Sequence, residues 1–171
     1  MSEVIADAEL YEDDFYAWTQ LQADKLRRLQ KAGMNLDLDL PRLAEEVEDL
    51  GKSERNASRS QIERIIEHCL KLQYSPALEP RRGWYDTITD ARRELRYKLT
   101  PTLRRLLRRE LGRLYDGGRR EADRALRRFG EVVPADQLPG ICPYKFENLL
   151  DEDWLPSPLG DNRCPHPGEV R

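Results

Sequence analysis

Apolar residues recur every three to four positions through much of the chain, which is the spacing of amphipathic helices rather than strands. The first stripe consists of Tyr11, Phe15, Trp18, Leu26 and Leu29. Acidic residues near its start suit the positive end of a helix dipole, and Gly33 follows as a natural stop. The pattern predicts one helix from about Tyr11 to Lys31.

A longer stretch predicts a helix over residues 40–74 at the centre of the fold, with Pro41 in the first turn, where proline is tolerated. Its stripe is mainly apolar, but it also includes the polar residues Glu54, Ser58, Gln61 and His68. Glu54, Gln61 and His68 recur every seven residues, so they lie nearly on one line along the helix. We call these three residues the polar line.

Two further stripes predict a helix over 84–99 and another from Pro101, with Thr100 as its N-cap. We expect Gly117 and Gly118 to kink this last helix without ending it, because the helical period continues to Phe129. Beyond Gly130, closely spaced prolines leave room for one short helix near 145–150.

No alternating β-branched run occurs in the sequence, so no sheet is expected. The predicted fold is all-α, a bundle of four to five helices with one long central helix and a Pro-rich C-terminal segment. A chain of 171 residues has the size of one ordinary domain. We expect residues 1–156 to form a single helical domain and residues 157–171 to form a flexible tail.

The three cysteines, Cys69, Cys142 and Cys164, form no even set, and the sequence has no signal-peptide pattern and no apolar run long enough to cross a bilayer. These features favour a reducing, cytoplasmic location without membrane association. The net charge of −3 is unevenly spread. Residues 1–54 hold 6 Lys/Arg against 14 Asp/Glu, residues 55–130 hold 20 against 10, and residues 131–171 hold 3 against 8.

The basic middle block is mostly arginine over residues 92–128, and its N-terminal part contains Arg92, Arg93 and Arg96. Guanidinium groups pair well with both carboxylates and phosphates. One interpretation is pairing with acidic segments of the same chain or of a protein partner. The other is nucleic-acid binding, although no recognised nucleic-acid motif accompanies the arginines. The near-neutral total favours a protein partner or self-association.

The polar line needs partners, because burying polar groups unpaired is costly. We expect Glu54, Gln61 and His68 to bind side chains of a neighbouring helix or of a second subunit, where such groups often fix register and partner choice. Trp84, at the start of the next predicted helix, completes the candidate binding residues with Arg92, Arg93 and Arg96. A general base at His68, aided by Glu67 or Glu54, is the catalytic alternative.

A metal-dependent hydrolase acting on a nucleotide is a further alternative, because Glu46 and Asp49 have the spacing of helical carboxylate pairs that bind Mg²⁺. Asp49 lies opposite the core stripe and Glu46 on its flank, and the second carboxylate pair that such enzymes need is missing. A zinc site formed by Cys142, Cys164 and His166 matches no standard spacing. The sequence therefore favours a non-enzymatic protein-binding or assembly module without a cofactor.

Several short motifs occur in an order that resembles the bacterial family called domain of unknown function 29. They are the Tyr11/Asp14-Phe15/Trp18 opening, residues 43–54, residues 68–74, Gly83-Trp84 with Ile88, Arg92-Arg93, Cys142-Pro143-Tyr144, and residues 149–156. The resemblance covers about residues 11–156. It implies an all-helical bacterial protein with no established activity, so it assigns no catalytic residue.

Overall fold

The computed structural model describes residues 2–34 and 36–159, with side chains from residue 7 onward. The described residues form helices and no strand, which confirms the predicted all-α class. There are eight helices in this part of the chain: α1 Ser2–Asp13, α2 Phe15–Lys31, α3 Leu40–Tyr74, α4 Arg81–Lys98, α5 Pro101–Arg109, α6 Leu111–Arg128, α7 Val132–Asp136 and α8 Phe146–Leu150.

The single helix predicted for residues 11–31 is wrong, because Asp14 separates α1 from α2. The Asp14 carboxylate accepts hydrogen bonds from the backbone N–H of Ala17 at 3.1 Å and of Thr102 at 2.8 Å. It is thus the N-cap of α2 and also binds the first turn of α5. Burial raises the pKa of Asp14, but these hydrogen bonds outweigh it and hold the pKa below its ordinary value.

Helix α3 has the predicted bounds, and most of its predicted stripe is buried, including Leu40, Ala44 and Gly51. Leu43 and Leu50, which also belong to that stripe, lie at its edge and are exposed. Gly51 lies against Thr19 of α2. At the other end of α3, the buried Arg81 donates hydrogen bonds to carbonyl oxygens of the last turn and the residue after it, which stabilises the helix end.

The chain divides into two compact units. One contains the residues up to Arg59 together with Lys98–Leu107, and its buried residues include Ala23, Leu40, Ala44, Leu103 and Leu107. The other contains Ser60–Tyr97 and residues 108–159, and its core includes Ile62, Ile65, Ile66, Leu70, Ile88, Leu95, Leu114, Leu126 and Leu149.

The predicted N-cap at Thr100 is confirmed, since its hydroxyl accepts a hydrogen bond from the Leu103 backbone N–H at 3.4 Å. The predicted continuation of the helix through Gly117 and Gly118 is confirmed, since both glycines lie inside α6. The helix predicted from Pro101 is interrupted earlier, at Glu110. A Cβ on Gly118 would lie 2.6 Å from the Glu63 carbonyl oxygen, so this glycine allows α6 to approach α3 closely.

The Pro-rich segment contains the short helix expected near 145–150, and also α7, which the sequence pattern did not predict. Two tyrosines connect the segment to helices. The Tyr115 hydroxyl donates to the Pro139 carbonyl at 2.6 Å, and the Tyr144 hydroxyl donates to the Gln73 side-chain oxygen at 2.9 Å. Of the tail predicted over 157–171, residues 160–171 lie outside the described residues. Within the described part, no helix is long and apolar enough to cross a membrane.

Candidate functional site

The three residues of the polar line have different surroundings. Gln61 donates a hydrogen bond from its amide nitrogen to the Glu94 carboxylate of α4 at 2.6 Å. Glu54 is half-buried and has no hydrogen-bond or ion-pair partner among the described residues. His68 lies two turns beyond Gln61 in a cluster of charged groups. The expected pairing with a neighbouring helix therefore occurs at Gln61.

His68 lies between a backbone carbonyl and a lysine. Its Nδ1 is 2.9 Å from the Arg64 carbonyl oxygen, and its Nε2 is 3.4 Å from the Lys71 ammonium nitrogen. A carbonyl can only accept and an ammonium can only donate. The geometry therefore assigns the proton of the neutral ring to Nδ1, with the lone pair of Nε2 facing Lys71.

Lys71 is the buried cation of this cluster and contacts three side chains. It pairs with the Glu67 carboxylate at 2.8 Å, approaches His68, and lies 5.5 Å from the centroid of the Trp84 ring. An ammonium over an indole face is attracted by the ring quadrupole. The structure thus brings two predicted residues, His68 and Trp84, together around Lys71, which the sequence interpretation did not select.

This environment makes His68 hard to protonate. Burial, and then the positive charge of Lys71, lower the pKa of His68 below its ordinary value, and Glu67 only partly opposes them. Because the folded protein prefers the neutral ring, His68 contributes stability above the unfolded-state pKa of about 6.5, and the contribution is lost as the pH falls below it.

We expect an NMR titration of the intact chain to give a His68 pKa below 6.5. The free energy of unfolding should decrease between pH 7 and pH 5 by a larger amount in the wild type than in His68→Gln, which has no imidazole to protonate. The variant also assigns the resonance. A titration midpoint above the ordinary value would contradict the tautomer and the charged environment described above.

Arg92 uses its guanidinium inside the protein. It is buried on α4 and donates to the carbonyl oxygens of Leu149 at 3.0 Å, Asn148 at 3.2 Å, Trp154 at 2.9 Å and Glu152 at 3.5 Å. Burial lowers the pKa of Arg92, and no carboxylate forms an ion pair with it among the described residues. The arginine holds α8 and the residues after it against α4.

The other two predicted arginines of α4 are exposed. Arg93 pairs with Asp90 of its own helix at 3.0 Å, and Arg96 pairs with Glu152 of the C-terminal segment at 2.6 Å. Exposed pairs of this kind contribute little free energy and exchange readily with other partners. Binding through Arg93 and Arg96 stays a prediction.

A denser group of arginines lies on the solvent face of α6. At 100° per residue, Arg113, Arg120, Arg124, Arg127 and Arg128 fall within about 100° of one another. The opposite face of α6 is buried through Leu114, Gly118, Ala122 and Leu126. We call these five arginines the α6 ridge.

Two of the five arginines of the α6 ridge form ion pairs with carboxylates of the described residues. Arg124 pairs with Glu121 at 2.9 Å, and Arg127 pairs with Asp123 at 3.0 Å and with Asp136 of α7 at 2.6 Å. Arg113, Arg120 and Arg128 are exposed, and no carboxylate in the described part of the chain pairs with them. The ridge therefore presents free guanidinium groups to solvent.

The two carboxylates of the metal alternative are on the surface of α3. Glu46 is exposed, and Asp49 pairs with Lys52 at 2.9 Å. Within the described residues, no group of three or more His, Cys, Asp or Glu side chains is placed to hold a metal ion. The second carboxylate pair, missing from the sequence pattern, is therefore not supplied by folding in this part of the chain.

Cys69 and Cys142 are free thiols. Burial raises the pKa of Cys69 to about 12, and it also raises the pKa of Cys142, so neither side chain is a ready nucleophile. Cys164 and His166, the other members of the zinc alternative, lie outside the described residues.

The described part of the chain is all-helical. A solved structure that resembles it is also of an all-helical protein. A crystal structure of an α-helical protein of unknown function from Rhodospirillum rubrum is 31% identical to this chain. The likeness covers 84% of this chain and 90% of that one, with a TM-score of 0.75. No curated protein matches the chain.

The family model described as domain of unknown function DUF29 matches residues 10–155. The chain belongs to this family, which confirms the resemblance carried by the ordered motifs.

Proposed function

We propose that this protein is a non-enzymatic binding module that uses the α6 ridge to hold an acidic surface of a protein partner. The observation that carries the proposal is the set of exposed guanidinium groups at Arg113, Arg120 and Arg128 on a helix whose other face is buried in the core. A rigid helix presents such groups in a fixed geometry, which suits bidentate pairing with carboxylates.

Two features of the surface favour protein over nucleic acid as the partner. Asp116, Glu121 and Asp123 lie on α6 beside or between the arginines and would repel a continuous phosphate backbone. The end of the ridge also continues into exposed apolar side chains, namely Phe129, Val132 and Val133. Arginine beside exposed aromatic and aliphatic groups is the composition of protein interfaces.

The α6 ridge can be tested with Arg113→Glu, Arg120→Glu and Arg128→Glu combined in one chain. A matched control is Arg104→Glu, Arg105→Glu and Arg109→Glu, which makes the same charge change at exposed arginines of α5. We expect the ridge variant to weaken association about tenfold, the effect of three exposed ion pairs, and the control to retain it.

Association is measured in two ways: sedimentation equilibrium for self-association, and quantitative capture of partners by immobilised wild-type and variant chains for other proteins. Equal association of the wild type and both variants would contradict the proposal. A wild-type chain that is monomeric and captures no protein would contradict it as well.

Nucleic-acid binding is the second candidate, and the exposed Arg104 and Arg105 of α5 favour it because no carboxylate among the described residues pairs with them. It predicts a gel shift with generic RNA or DNA at about 50 mM salt that weakens steeply as salt rises. The absence of any shift at that salt concentration would exclude this candidate.

A further inference from the structure

A groove lies between α1 and α2, within the unit that contains both helices. Its volume is about 340 Å³, and its lining residues are Asp7, Ala8, Tyr11, Glu12, Trp18 and Gln22. None of these residues belongs to the α6 ridge or to the cluster around Lys71. The groove contains Tyr11 and Trp18 of the Tyr11/Asp14-Phe15/Trp18 opening. Asp14 of the same motif is the N-cap of α2, whereas the two aromatic residues have no such capping role.

Two aromatic rings form a corner in this groove. The rings of Tyr11 and Trp18 are 4.9 Å apart between centroids and nearly perpendicular, at 85°. Phe15 stacks against Trp18 with an interplanar angle of 19° and helps to fix the indole. Tyr11 is 45% exposed, so part of its ring is available to a ligand. The face of an aromatic ring carries partial negative charge and attracts cations.

Two carboxylates line the groove beside these rings, Asp7 and Glu12, and they differ in their partners. Asp7 accepts hydrogen bonds from Gln22 at 3.0 Å and from the Lys25 ammonium at 2.6 Å, so the chain's own lysine already brings a cation to this carboxylate. The hydrogen bond from Lys25 is the main cause that lowers the pKa of Asp7. Glu12 is exposed and pairs with no cation among the described residues.

These features restrict which kinds of ligand the groove can bind. An anion would meet the Glu12 carboxylate, which no described cation pairs with, and a purely apolar ligand would displace water from that carboxylate without replacing its hydrogen bonds. A hard metal ion prefers a shell of oxygen ligands to aromatic faces. A planar guanidinium can stack on an aromatic ring and donate two parallel hydrogen bonds to a carboxylate.

We propose that the groove between α1 and α2 binds the arginine side chain of a basic peptide segment, with Tyr11 and Trp18 contacting the guanidinium plane and Glu12 accepting its hydrogen bonds. The proposal concerns a different surface from the α6 ridge and does not depend on it. The two surfaces have opposite charge, so each is tested with a ligand that the other does not bind.

The probe is a short neutral-backbone peptide with one arginine, N-acetyl-Gly-Arg-Gly-amide, titrated into the full ¹⁵N-labelled chain while the indole N–H resonances are followed. The chain has three tryptophans, and Trp84 and Trp154 serve as internal references. We expect a saturable shift at Trp18 with a dissociation constant of about 1 mM, typical of a single exposed cation site. The matched control replaces arginine by citrulline, which is planar and similar in size but uncharged.

Citrulline should bind at least about fivefold more weakly than arginine, since it lacks the charge that the carboxylates and ring faces recognise. Glu12→Gln and Tyr11→Leu should each weaken arginine binding, whereas Glu9→Gln, a change on α1 outside the groove lining, should not. A Trp18 shift that is absent at about 20 mM peptide, or equal for arginine and citrulline, would overturn the proposal. Tighter binding of tetramethylammonium than of the peptide would also overturn it, because that result selects a quaternary ammonium ligand.

Discussion

Replacing Gly118 by alanine is expected to destabilise the protein by about 3 kcal/mol, the upper range of overpacking in a core. The added Cβ would lie 2.6 Å from the carbonyl oxygen of Glu63 and 2.8 Å from the side chain of Ile66. Both neighbours belong to α3, and the first is backbone, so neither can move aside without shifting one helix from the other. Urea denaturation and the thermal midpoint, lower by about 6 to 12 °C in a chain of this size, would measure the loss.

Gly112→Ala is the matched control, because it makes the same change in the same helix at a position where a Cβ would meet no atom within 4 Å. It should stabilise the protein by about 0.5 to 1 kcal/mol, since alanine favours helix over glycine. Gly117→Ala should fall between the two, because its Cβ would meet the carboxyl end of Glu63, at 2.8 Å, which can rotate. Equal urea midpoints for wild type and Gly118→Ala would contradict the close approach of α6 to α3.

The local pattern was enough to continue the helix through these glycines, but it did not indicate the break before them. A pair of glycines inside a helical period is compatible with a kink or with close contact to another helix. The choice depends on the partner, and here the partner is a stretch of α3 more than fifty residues earlier. The actual break at Glu110 has no proline beside it, and the nearby Gly112 lies inside α6.

The extent of the long helix was predictable, and so was most of its buried face. Its bounds follow from the proline in the first turn and the Ser75-Pro76 sequence after it, which are local signals. The edge of the buried face depends on which helices pack against it, and there Leu43 and Leu50, two members of the predicted stripe, are exposed. The seven-residue spacing of the polar line can be read from the sequence. The pairing of Gln61 with Glu94 cannot, because it requires knowledge that α4 lies alongside α3.

Within the arginine-rich residues 92–128, the sequence pattern alone indicates that one arginine, Arg92, is buried. Arg92 lies between Ala91 and Leu95 on the apolar stripe of α4, four residues after Ile88, so periodicity alone places it in the buried face. Arg93, its neighbour in sequence, points away from that face. Identifying which carbonyl oxygens satisfy Arg92 was not possible from sequence, because they come from an irregular segment more than fifty residues later.

Arg92→Ala is expected to destabilise the protein by about 3 to 5 kcal/mol, because it leaves buried carbonyl oxygens without donors and also opens a cavity. The four acceptors belong to Asn148, Leu149, Glu152 and Trp154, so the loss should appear first as local release of the segment that contains them. Hydrogen exchange should show lost protection over residues 146–155, and proteolysis should cut there before it cuts the long helices.

Two further variants separate this effect from a general loss of charge. Arg93→Ala removes an exposed guanidinium whose ion pair in the described part of the chain is with Asp90, so its cost should stay within about 0.5 kcal/mol. Arg92→Lys keeps the charge but replaces a planar fork by a single ammonium, which cannot reach carbonyl oxygens on several sides. It should therefore release the same segment even if Arg92→Ala fails to fold. Wild-type protection of residues 146–155 in Arg92→Lys would show that charge alone holds the C-terminal segment, contrary to the hydrogen bonds described here.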